Sequence, residues 1–147
     1  MRLQHYIILL YTFIVGRAII IILHETGHAL FATAFSKKKV VVYIGSHGNK
    51  DRNITFRSGL LTWHIKNNPL YWKGGLCVLD DSDMNQVQKL IYVLAGPIFP
   101  ALFATIFLNI AQIFQLHENI HAFAIFLLIG SVFSMIYNLI QKKIPSN

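Results

Sequence analysis

The residues most able to do chemistry are His24, Glu25 and His28, in the run His24-Glu25-Thr26-Gly27-His28. On a helix, positions i and i+4 lie on one face one turn apart, so both imidazoles can reach a single Zn²⁺ at about 2.0–2.1 Å. Glu25 sits about 100° round the helix, close enough to exchange a proton with a water at the metal without ligating it. Zinc lowers the pKa of such a water towards about 7, and a neighbouring carboxylate can take its proton as it attacks a peptide carbonyl, then return it to the leaving amine. Gly27 removes side-chain bulk where a helix or a substrate has to come close.

With seven histidines, and glutamate only at positions 25 and 118, chance arrangement gives an HExxH pattern with an expectation of about 0.004, so chance explains it poorly. A second match, His117-Glu118-Asn119-Ile120-His121, falls outside any apolar span and has no further ligand nearby. We assign it to a connection. His5, His47 and His64 lack ligand spacing and read as loop or interfacial side chains. The single cysteine, Cys77, allows no intrachain disulfide and reads as a small apolar filler.

The elements that must position these groups are apolar. The 147 residues are 54% hydrophobic and 13% charged, where a soluble domain carries about 25% charge. Three segments are long enough to span a bilayer: about 6–35, 90–114 and 121–140. The first spans about 45 Å as a helix, more than the roughly 30 Å hydrocarbon core, so it must tilt or project. It lacks the small-residue cleavage site of a signal peptide. The second contains Ala95-Gly96-Pro97 and Pro100, tolerable near a helix start or where a membrane helix opens towards a cavity. Its Asn109 and Gln112 suit helix–helix hydrogen bonding. Arg17, seven residues before His24, either lines a polar path to the site or snorkels to the interface. Three polar residues inside the first span are expensive in lipid, which favours function over structure for them.

Residues 36–88 have another texture. Short β-prone runs (Val40–Ile44, and alternating Ile54/Phe56, Trp63/Ile65 and Leu76/Val78) are separated by turn signals at Gly45, Gly48-Asn49, Ser58-Gly59 and Asn68-Pro69. The expected fold is an α-helical polytopic membrane domain of three spans, with a small cytosolic β-meander between the first and second. The formal charge of +7 is carried largely by this loop, through Lys37, Lys38, Lys39, Lys50, Arg52, Arg57, Lys66 and Lys73, with Lys142 and Lys143 in the tail. The positive-inside rule then places the loop and C-terminus in the cytosol and the N-terminus outside, in a multi-pass plasma-membrane topology. Contact with anionic lipid accounts for the charge; no nucleic-acid module surrounds it.

The motif His24-Glu25-Thr26-Gly27-His28-Ala29-Leu30 resembles the signature of the site-2 protease family, the M50 intramembrane zinc metallopeptidases. Ala95-Gly96-Pro97 resembles the element opening that family's next core helix, and Asn138-Leu139 resembles the pair that introduces its last zinc-ligand motif. The resemblance implies a zinc protease acting on a membrane-associated protein or peptide, with Zn²⁺ held by His24, His28 and an Asp in a later Asp-Gly pair, and Glu25 as general base. It also implies that an extended substrate adds to a free strand edge of the loop. The sequence departs at the Asp: no Asp or Glu follows Glu118, whereas a catalytic zinc takes three protein ligands plus water. The readings left open are a third ligand beyond Asn147, which Pro145-Ser146-Asn147 favours as the middle of a loop; a substitute ligand; and a degenerate, non-catalytic relative that still binds peptides. Asp51, Asp80, Asp81 and Asp83 read as solvated loop residues, and Asn138 as at best a weak oxygen ligand.

Overall fold

A computed structural model describes residues 2–49 and 51–141. Helix α1 (Arg2–Phe35) leads into a four-stranded sheet of β1 (Val40–Ile44), β2 (Asn53–Ser58), β3 (Leu61–Lys66) and β4 (Gly75–Leu79), followed by α2 (Gln86–Ile113) and α3 (Glu118–Gln141). All three helices contain stretches long and apolar enough to cross a membrane: Tyr6–Phe35, Gln86–Ile113 and Glu118–Tyr137. The chain forms two compact units, one of residues 21–96 and one of residues 1–20 with 97–147.

Helix α2 begins four residues earlier than its apolar run, because Asn85 and Gln88 form a reciprocal cap. The Gln88 N–H donates to Asn85 Oδ1 at 2.9 Å, and the Asn85 N–H donates to Gln88 Oε1 at 3.0 Å. This satisfies two donors that a helix start otherwise leaves unpaired. The helix ends at Ile113, and the chain turns off at Gln115, whose φ of 47° is left-handed. The Leu116 N–H reaches back to the Ala111 carbonyl at 3.0 Å, the closing bond of a Schellman-type end.

His117 then caps α3, its Nδ1 accepting the Asn119 N–H at 3.2 Å. With Glu118 in the first turn, the charge suits the positive end of the helix dipole. The second HExxH match is therefore a helix start, with His117 and Glu118 exposed.

In the unit of residues 1–20 and 97–147, Ala104, Ala111, Ala124, Leu127 and Ser131 are buried. Gly16 lies so close to Phe126 that a Cβ would overlap the ring. Small residues here leave room for close packing between helices.

The sheet corrects the expected meander. Its strand order is β2-β3-β1-β4. β1 runs parallel to β3, Val40 opposite Leu61, and antiparallel to β4, Val40 opposite Leu79. Turn residues mark where strands end but not which strands pair. The most apolar strand, β1, takes an inner place flanked on both edges, while the β2–β3 hairpin folds over to meet it through the Gly59-Leu60 turn, where Gly59 has φ 59°.

The register gives one nearly continuous apolar face: Ile54, Phe56, Leu61, Trp63, Ile65, Val40, Val42, Ile44, Cys77 and Leu79. In β4 the half-buried residues are Gly75, Cys77 and Leu79, while Leu76 and Val78 are exposed on the opposite face. Val40, Val42 and Ile44 are fully buried, and each such side chain contributes about 1.5–3 kcal/mol. Ile44→Ala is expected to destabilise the chain by about 2–5 kcal/mol and Ile44→Val by about 0.5–1.5 kcal/mol, measured by reversible unfolding in detergent. Equal losses for the two variants would show that Ile44 is not tightly packed.

Candidate metal centre

The described residues of the candidate site all lie in the unit of residues 21–96. The end of α1 brings His24, Glu25 and His28 together as their spacing predicts, with His24 and Glu25 buried at 8% and 5% exposure. The His24 and His28 rings meet edge to face, centroids 4.9 Å apart. Buried polar side chains are normally hydrogen-bonded, yet His24 Nδ1 and Glu25 Oε2 have no partner among the described residues. An orphaned imidazole nitrogen and an orphaned carboxylate oxygen on consecutive residues, both buried, are groups that a cation with an associated water would satisfy.

His28 is oriented by α2. Its Nδ1 lies 2.8 Å from the backbone carbonyl of Tyr92. A carbonyl can only accept, so Nδ1 carries the proton and Nε2 the lone pair. Metal-binding histidines are typically held this way, one ring nitrogen tied to a carbonyl and the other turned to the metal. The Tyr92 ring packs on His28 at 4.9 Å and 45°. Gly96, one turn after Tyr92, makes room, since a Cβ there would overlap the His28 ring at Nε2, Cε1 and Cδ2.

Strand β4 closes the other side. A Cβ on Gly75 would overlap the Glu25 side chain, so the strand backbone lies directly against the carboxylate. Trp72 locks the preceding turn: its Nε1–H donates to the Lys66 carbonyl at 2.9 Å, and its ring lies against Gly45, a position that combines φ 83° with no room for a Cβ. Cys77 is close by on β4. Burial pushes its thiol up to about 12, so at pH 8 it holds orders of magnitude less thiolate than an exposed cysteine near 8.5. Iodoacetamide at pH 8 is expected to alkylate Cys77 at least a hundredfold more slowly in the folded protein than after denaturation. Equal rates would mean the thiol is not desolvated.

The acidic residues weighed as substitute ligands lie elsewhere. Lys38 Nζ pairs with Asp80 Oδ2 at 2.7 Å and Asp83 Oδ2 at 2.9 Å, and Lys89 pairs with Asp81 at 3.1 Å. The bonded Lys38 ammonium holds the Asp80 carboxyl well below the usual carboxylate range. These exposed pairs tie the two ends of the sheet segment and add little stability. Asp51 is exposed. The Asn138 and Leu139 side chains lie outside the described residues, as does everything after Gln141. Among the described residues no third His, Cys, Asp or Glu completes a metal cluster with the histidines. Among the described residues the site therefore offers two imidazoles and one carboxylate, one ligand short of the three protein ligands that a catalytic zinc takes.

Two residues of the site escaped sequence reasoning. Gly75 had a partial signal, a Gly-Gly pair entering a strand. Tyr92 had none, because its part depends on where α1 lies.

No curated protein and no solved structure matches the chain. A family model does, over nearly the whole length. With a buried HExxH face, an oriented imidazole and three helices long and apolar enough to cross a membrane already in place, that match is decisive: residues 12–146 fit the model of peptidase family M50, and the chain belongs to this family of membrane zinc metallopeptidases.

Proposed function

We propose that the chain is an intramembrane zinc metalloprotease that hydrolyses a peptide bond of a membrane-associated protein or peptide. In this reading His24 and His28 hold the metal, a third ligand comes from outside the described residues, and Glu25 is the general base. The observation that carries it is the pair of orphaned buried atoms, His24 Nδ1 and Glu25 Oε2, in the family's motif.

Zinc, when bound, acidifies water and polarises the scissile carbonyl. The rest falls to the chain. Tyr92 fixes the His28 tautomer through its carbonyl. Glu25 takes the proton of the attacking water on Oε2 and delivers it to the leaving amine. The apolar surroundings limit competing water and strengthen each electrostatic contact. In the same proposal the sheet and C-terminus face the cytosol, the N-terminus lies outside, and the membrane is the plasma membrane, following the Lys and Arg distribution.

A second reading, a non-catalytic relative that binds membrane peptides, draws on the two-ligand site. Zinc content of the detergent-solubilised chain, beside a His24→Ala/His28→Ala variant, separates the two. About one equivalent, lost in the variant, is expected for the enzyme. Absence of zinc from both would leave the binding protein.

A further inference from the structure

The edge strand β4 is paired on one side only, with β1, yet it carries the backbone that seats Glu25. Its second attachment runs through Tyr92. The phenol O–H donates to the Cys77 carbonyl at 3.0 Å, while the same residue's carbonyl accepts from His28 Nδ1 at 2.8 Å and its ring packs on the imidazole. Gly75 and Cys77 are i and i+2 on the strand, hence on one face. That is the face turned to the helices, since Gly75 lies against Glu25 and the Cys77 side chain is half-buried. One side chain thus links the proposed ligand His28 to the strand that confines the proposed base.

We infer that Tyr92 is a positioning residue whose hydroxyl ties β4 to α2, the helix that orients His28, and so keeps Gly75 seated against Glu25. The carbonyl bond to His28 survives any substitution at 92 that leaves the helix intact, whereas the hydroxyl bond is lost on removing one atom. Tyr92→Phe therefore separates the two functions: the metal ligand stays oriented and the strand loses its tether. The consequence for turnover rests on the protease reading above; the tether itself does not.

The experiment is amide hydrogen exchange on the zinc-loaded full chain in detergent, wild type against Tyr92→Phe, with zinc stoichiometry and steady-state cleavage of a membrane peptide measured alongside. The expected result is exchange at least tenfold faster at the amides of residues 75–78, unchanged exchange in β2 and β3, and retained zinc. Where the wild type cleaves, kcat falls about tenfold with KM within twofold. Adding Tyr92→Phe to Gly75→Ala, which crowds Glu25 from the strand side, lowers kcat little further, because both act on one seat.

Unchanged exchange at residues 75–78 overturns the inference. So does acceleration spread evenly over the sheet, the signature of a merely structural side chain, and so do strictly multiplicative effects in the double variant. An inactive wild type whose β4 exchange still responds to Tyr92→Phe sinks the protease reading and leaves the tether standing.

Discussion

Glu25→Gln is expected to lower kcat for peptide cleavage by about 10²–10⁴-fold while zinc binding stays at the wild-type level. The range is that of a lost general acid–base catalyst, equivalent to about 3–5 kcal/mol of barrier. The substitution keeps the shape of a side chain that is 5% exposed and pressed against Gly75. It replaces a carboxylate by an amide that cannot take a proton. Retained metal matters as much as lost turnover. Glu25 lies round the helix from the histidine pair and, with them, makes no three-ligand cluster, so its loss should not release zinc. Zinc lost with Glu25→Gln would instead recast Glu25 as a ligand. Turnover within a few-fold of wild type would remove it from the proton-transfer role. Cleavage of a membrane peptide and metal content, on the same preparation, decide between these outcomes.

The parts of this site that were legible in the sequence are those set by local periodicity. The i, i+4 histidines and the intervening glutamate need only a helix, and an apolar run supplies it. The strand segments were legible for the same reason, since turn residues and β-branched runs act locally. Pairing was not. That β1 would lie between β3 and β4, parallel to one and antiparallel to the other, depends on burying Val40, Val42 and Ile44 from both edges, a tertiary preference with no short-range mark. The phase of β4 was equally hidden. Leu76 and Val78 look like its buried residues, but the close approach of backbone to Glu25 turns Gly75 and Cys77 inward instead. The start of α2 could have been read, because Asn85 and Gln88 have capping-box spacing, had the cap been weighed above the hydrophobic run. Tyr92 could not, because a backbone carbonyl acting on a residue 64 positions away leaves no trace in side-chain type.

Gly96→Ala is expected to lower zinc affinity by at least about 10–100-fold and to destabilise the metal-free fold by about 1–3 kcal/mol. Two effects of the added methyl oppose each other in the fold, and the steric one wins there as well as at the metal. Inside a helix, alanine is favoured over glycine by about 0.5–1 kcal/mol, because less backbone freedom is lost on folding, but residue 96 precedes Pro97, whose ring crowds a Cβ on the residue before it and erodes that gain. Against His28, the methyl would occupy the space now held by Nε2, Cε1 and Cδ2. Those atoms belong to a ring pinned on its other side by the Tyr92 carbonyl, so the imidazole cannot swing aside without breaking that bond. The nitrogen that carries the lone pair is the one displaced, and the loss should match or exceed that from disturbing a ligand's orienting partner. Competition with a chelator of known affinity reads the loss at the metal, and thermal unfolding of the metal-free chain reads the loss in the fold. A variant that still folds but is weakened in zinc binding would assign Gly96 to the seating of the ligand. Wild-type affinity would mean that His28 has freedom the packing does not suggest, and the two-histidine site would have to be rebuilt around another rotamer.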